Sequence, residues 1–290
     1  MQKRNNKSGS KNSKSGNFKS NANPKPFTSK NSRNKTEQHK SSFAKPRPEP
    51  KTPENGEIRL NKFLAHAGIS SRREADNLIK SGLVEINGKV VTEMGYKVQV
   101  VDEVKFNGEL IKAEKKIYLV LNKPKGFITT TDDPKARKTV MELVGSAGKQ
   151  RFYPVGRLDR KTSGVLLFTN DGDLAKKLTH PSHGARKIYE VSLDKALTAS
   201  DLNKIATGLT LEDGLIEVDD IQYIESKSKN NVGVIIHSGR NRIVRRIFES
   251  LGYEVTKLDR VFFAGITKKN LNRGQWRYLN EKEVSYLQMK

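Results

Sequence analysis

The chain has no cysteine among its 290 residues, which removes disulfides, thiol nucleophiles and thiolate-bound zinc. Aromatic residues are scarce at 7%, and no amphipathic or spanning helix suited to a membrane can be read. Acidic residues are in deficit: 32 Asp+Glu face 55 Lys+Arg, a formal net charge of +23. So basic a chain calls for a polyanion, and nucleic acid accounts for that more simply than an acidic membrane surface. No phosphate-loop or dinucleotide-type glycine motif is present. His180 and His183 flank a helix-breaking proline in His-Pro-Ser-His, with no acid at ligand spacing, and they read as loop residues without a metal. There is no secretory signal, and the start lacks the Arg-rich amphipathic helix of a transit peptide; a cytoplasmic location is expected.

The basic excess is uneven. Residues 1–56 carry 14 Lys+Arg against 3 Glu, +11 of the total, on a Lys-, Asn-, Ser- and Pro-rich segment almost free of aliphatic residues. Such a segment buries too little to offset the entropy of ordering and reads as a disordered tail, able to raise affinity for RNA in a salt-dependent way.

Periodicity starts at Arg59. Leu60, Phe63, Leu64 and Ala67 mark one helix face, with Gly68 as its stop. Ser71 and Glu74 then fit a capping box, Ala75, Leu78 and Ile79 make a second buried stripe, and Gly82 ends it. Val84-Glu85-Ile86, Asn87-Gly88 and Lys89-Val90-Val91 read as a hairpin. The polar faces present Arg59, Lys62, Arg72, Arg73 and Lys80 to any phosphate backbone; the plain alternative is a solvated charged face. Further short strands run from Val98 to Ala113, and Lys115-Lys116 leads into a larger domain opening with the strand Ile117–Leu121 and the turn Asn122-Lys123-Pro124-Lys125-Gly126.

The most informative run is Gly156-Arg157-Leu158-Asp159-Arg160, followed by the apolar Val165–Phe168 and by Thr169-Asn170-Asp171-Gly172. Asp159 is one acid among bases, and nearby positive charge favours its ionised form, fit to act as nucleophile or base. Farther on, Lys187-Ile188-Tyr189 alternates as a strand and turns Lys187 and Tyr189 to one face. Beyond the buried strand Val232–His237, Ser238-Gly239-Arg240-Asn241 leads into a helix read from Arg242 to Leu251. Arg240, Arg242, Arg245 and Arg246 crowd its start, where Glu249 can take Arg245 or Arg246 by helical spacing.

These runs resemble the signatures of the RsuA/RluB family of RNA pseudouridine synthases, and residues 59–91 resemble the S-four RNA-binding module. The resemblance implies that Asp159 is the single catalytic carboxylate and that Tyr189 stacks on the target base. It further implies that Val244 packs under the base and that Arg245 pairs with Asp159. Ile243 departs from the Gln frequent at that place. Arg157, Arg240 and Arg242 join the small-domain cations as RNA contacts.

The expected fold is α+β: a tail over 1–56, a two-helix and hairpin RNA-binding domain over 57–113, and over 114–290 a mixed, mainly antiparallel sheet with flanking helices. The expected function is isomerisation of a specific uridine in ribosomal RNA, more in the style of large-subunit enzymes, through a flipped-out base and without a cofactor. Attack on the sugar carbon, attack on the pyrimidine and removal of the 2′ proton stay open. The alternative is a non-catalytic ribosomal RNA-binding or assembly protein. A hydrolase using Asp171 and Asp173 is disfavoured, since those residues fit a turn and a helix start. With no coiled-coil pattern, a monomer is expected.

Overall fold

A computed structural model describes residues 56–112 and 114–289. The tail read over 1–56 lies outside the described residues except for Gly56.

The small domain follows its sequence signals closely. Helix Leu60–His66 buries Leu60 and Leu64, and Gly68 follows at φ +79°, a conformation glycine adopts without strain. Helix Arg72–Lys80 starts at a complete capping box: Ser71 Oγ accepts from Glu74 N at 3.2 Å, and Glu74 Oε2 accepts from Ser71 N at 3.3 Å. Asn87 and Gly88 both have positive φ, as a tight hairpin between Val84–Ile86 and Lys89–Val90 requires. With Val104–Phe106 and Glu109–Leu110 these make a four-stranded sheet. The core is the meeting of Leu60, Leu64, Ala75 and Ile79 with Val84, Ile86 and Val104.

The large domain is built on a nine-stranded sheet. Its main path runs Asp220–Tyr223, Asn231–Ile236, Lys187–Leu193, Val255–Phe263, Ser163–Thr169, Tyr118–Lys123, Trp276–Tyr278. Every pair on that path is antiparallel except Val255–Phe263 with Ser163–Thr169, which is parallel. The parallel pair sits at the centre, where the strand Ser163–Thr169 is buried along its whole length. Gly164 is required there, because a Cβ would lie 2.1 Å from the Arg260 carbonyl oxygen. A bulge between the Lys187–Leu193 and Val255–Phe263 strands pairs Ile188 with Phe262 but Tyr189 with Arg260, skipping Val261. One extra residue reverses the alternation. Arg260 and Phe263 are thereby both buried.

The helix read from Arg242 to Leu251 spans Ile243–Glu249. Arg242 is left-handed at φ 47° and so stands before the helix rather than in it. The apolar face of the helix packs inward: Ile243, Val244, Ile247 and Phe248 are buried against Val191, Val234 and Leu258, with Leu251 partly buried beside them.

Candidate active site

The Asp159 loop is fixed through its backbone. Lys123, fully buried, donates from Nζ to the carbonyls of Pro124 (3.2 Å), Asp159 (3.1 Å) and Thr162 (2.9 Å). Burial pushes this ammonium down to about 8, with the charge of Asp159 opposing. Thr129 holds the preceding residue in both directions: its hydroxyl donates to Leu158 O at 2.8 Å and accepts from Leu158 N at 3.2 Å. Thr162 N closes the turn onto Asp159 O at 3.0 Å, and Gly126 N reaches Arg160 O at 2.8 Å.

The carboxylate itself is free. Among the described residues, no hydrogen bond or ion pair engages the Asp159 side chain, which is half-buried and lines a cavity of about 440 Å³. Around the same cavity stand Tyr189, Val244, Leu258, Arg260 and Phe263, brought together from two strands and the start of a helix. Half-buried Tyr189 is a flat apolar surface facing the space, and Val244 closes the wall at 3% exposure. The space suits one planar base.

The four crowded arginines are resolved differently from expectation. Arg245 makes no ion pair with Asp159; it is 6% exposed and donates from Nη1 to Val255 O at 2.9 Å and from Nη2 to Lys161 O at 3.4 Å. Those carbonyls take the N–H groups that a carboxylate would have used. Burial depresses this guanidinium, the charge of Arg242 adds to that, and Asp159 partly offsets it. Glu249 pairs with Arg242 at 3.0 Å, not with Arg245 or Arg246, because Arg242 folds back from outside the helix. Arg246 instead meets Asp213 at 2.7 and 2.9 Å and Glu212 at 3.0 Å, both at a hairpin tip. Arg240 reaches Gly214 O at 3.3 Å and Asp213 at 3.6 Å, on the cavity rim with exposed Arg157.

In the small domain, Arg59, Arg72, Arg73 and Lys80 are exposed and make no ion pair with any of the described residues. Arg72 and Arg73 border a shallow cleft with Asn61, Ser71 and Asp76. Lys62 departs from the expected RNA-facing set: it pairs with Asp173 at 2.7 Å, joining its helix to the helix Gly172–Thr179. Asp171 caps that second helix through Leu174 N and accepts from Lys116 and Tyr118, so both acids of the hydrolase alternative are structurally engaged. Burial and Asp171 together push the Tyr118 phenol up to about 12.

The sequence alone gives no role to Lys123, Thr129 or Arg260. Lys123 lies within the 122–126 turn motif; the signal for Arg260 is an arginine two residues beyond the buried Leu258, at an inward position of its strand.

Comparison with known proteins agrees with this geometry. Residues 117–250 match a family model described as RNA pseudouridylate synthase, and residues 58–104 match the S4 domain. The chain is 42% identical over 232 residues to the ribosomal large subunit pseudouridine synthase B of Bacillus subtilis, covering 79% of this chain and 95% of that one. It is 39% identical to the protein of the same name from Vibrio cholerae, over 79% of this chain and 74% of the relative. A solved structure titled as a pseudouridylate synthase superposes with a TM-score of 0.56 at 30% identity, covering 79% of this chain and 99% of that chain.

Proposed function

Because the chain belongs to the RNA pseudouridylate synthase family and carries an S4 domain, we propose that it isomerises one uridine of large-subunit ribosomal RNA, with Asp159 as the catalytic carboxylate. The reaction breaks the bond from uracil N1 to C1′ of the ribose, turns the ring and joins C5 to the same carbon. No group or electron enters from outside, so the protein needs to supply a carboxylate, a base-sized space and walls that keep the detached uracil from leaving.

One observation carries the reading: the Asp159 backbone is tied by Lys123, Thr162 and the clamp on Leu158, while its carboxylate faces the cavity unpartnered. A structural aspartate would spend its oxygens on capping or an ion pair, as Asp171 does. Tyr189 supplies the stacking platform, and stacking returns about 1–3 kcal/mol against the few kcal/mol of extruding the base. Val244 packs beneath the ring. Arg245 acts on Asp159 through the Lys161 carbonyl and through its field.

Residues 57–113 form the RNA-binding domain and 114–290 the catalytic domain, with residues 1–56 as a basic arm on a cytoplasmic monomer. Arg59, Arg72, Arg73 and Lys80 face the RNA backbone, and Arg157, Arg240 and Arg242 receive phosphates at the cavity rim. Asp159→Asn tests the assignment with unmodified large-subunit rRNA transcript. RNA binding stays within about twofold while pseudouridine formation falls by roughly 10⁴-fold or more, the scale set by removing an essential reacting group. An Asn variant that still makes pseudouridine removes Asp159 from the chemistry, and a wild type that binds without turnover favours an assembly role.

A further inference from the structure

The cavity contains a cation with no counter-ion. Arg260 is 2% exposed, lines the space beside Asp159 and Tyr189, and lies with its guanidinium 4.5 Å from the Phe263 ring centroid. Nε donates to Val165 O at 2.8 Å, whereas Nη2 is buried without a hydrogen-bond partner. Among the described residues no carboxylate pairs with it; burial disfavours its charged form, and the hydrogen-bonding Tyr189 hydroxyl opposes that only in part. At the neighbouring helix the terminal nitrogens have acceptors, Arg245 two carbonyls, Arg246 two acids and Arg242 Nη2 Glu249, while Arg157 and Arg160 on the cavity rim are exposed to solvent.

A buried charge without its counter-ion is costly, and replacing it with an apolar group of similar volume is often neutral or stabilising. Two local features nonetheless hold Arg260 in place. Gly164 lets its backbone approach the catalytic strand, and the bulge after Ile188 turns its side chain inward opposite Tyr189. The arrangement fits an anion that is present only during turnover.

The isomerisation produces such an anion. When the C1′–N1 bond breaks, its electron pair stays with the uracil and spreads over N1 and the carbonyl oxygens. The ring turns, C5 bonds to C1′, the C5 proton is lost and N1 takes up a proton, which restores a neutral product. Resting on the isomerase reading above, we propose that Arg260 is a catalytic residue whose Nη2, without an acceptor in the resting structure, donates to a carbonyl oxygen of the detached anionic uracil and holds it while it turns. An anionic oxygen accepts more strongly than the same oxygen in neutral uridine, so the contact strengthens as the bond breaks and acts on rate more than on binding. Lys187, the other cation on that wall, is already committed to Ala185 O (3.0 Å) and His237 O (2.6 Å).

Single-turnover kinetics on unmodified large-subunit rRNA transcript, with binding and thermal melting measured in parallel, separate the possibilities. Arg260→Met is expected to melt no lower than wild type and to bind RNA within about twofold, yet to lose roughly 10²–10³-fold in the rate of pseudouridine formation, the scale of a lost oxyanion donor. Arg260→Lys recovers part of that loss. Should the Met variant give no folded transition, Arg260→Gln takes its place with the same expected loss of rate, because it keeps a donor for Val165 O. A neutral folded variant within threefold of the wild-type rate, or one altered only in RNA affinity, overturns the role of Arg260 alone. A wild type that forms no pseudouridine overturns the isomerase reading and this inference with it.

Discussion

The cations of the small domain and those of the cavity are the same residue types under different physics. Arg59, Arg72, Arg73 and Lys80 stand in solvent without ion pairs among the described residues, where charge is screened and each contact with a polyanion would add separately. Lys123, Arg245 and Arg260 are buried, Lys187 half-buried, and Lys123, Arg245 and Lys187 are held by backbone carbonyls rather than acids. Carbonyls fix a cation without neutralising it. The cavity therefore keeps a positive interior around one free carboxylate, whereas the small domain offers an adjustable surface; the first suits chemistry, the second affinity.

After the substitutions at Asp159 and Arg260, the next largest effect is expected from loosening the cavity without touching a charge. Thr129→Val keeps the shape of the side chain and removes both hydrogen bonds to Leu158. We expect kcat to fall about 10- to 100-fold by misplacement of Asp159, with KM unchanged and Thr129→Ser close to wild type. A Val variant with full kcat means that Lys123 and the backbone bonds of Thr162 and Gly126 hold the loop without Thr129. The small domain is expected to answer in the opposite manner: Arg72→Ala and Arg73→Ala each weaken RNA binding a few-fold and reduce the salt slope by about 1, leaving single-turnover rate at saturation intact. A change in that saturated rate would erase the distinction between the two regions.

The smallest expected effect is one of pH. Burial lowers Lys123 and Lys187 from 10.5 to about 8 in the folded protein. Between those values the unfolded chain binds more protons than the folded one, so these lysines make stability rise as pH increases from 8 towards 10. Urea unfolding at a series of pH values checks the sign, and Lys187→Met should flatten the rise. Identical pH profiles for the two proteins would mean that Lys187 is solvated like a surface lysine.

Much of this was legible in advance where the signal was local. The capping box at Ser71 and Glu74, the Asn87-Gly88 turn and the apolar run Val165–Phe168 each formed what their residues specify, because a turn or helix start depends on neighbours within a few positions. The motif residues Asp159, Tyr189 and Val244 meet at one cavity. Partners of charged side chains were not legible. Lys62 found Asp173, Arg242 found Glu249, and Arg246 found Glu212 and Asp213, while Arg245 found carbonyls in place of Asp159. A long side chain pairs with whatever the fold brings within reach, and helical spacing restricts only the candidates on its own helix.

Composition, periodicity and a contiguous motif are properties of the chain as written, and they marked out the two domains, the basic character of the exposed surfaces and the acid that lines the cavity. Tertiary structure alone decided which cations surround that acid. Arg260 lies about a hundred residues from Asp159 in the chain and enters the cavity through a parallel strand pairing that Gly164 permits and a bulge that reverses side-chain alternation. Register between distant strands is set by the packing of the whole sheet, and a single added residue in one strand changes which side chain faces inward.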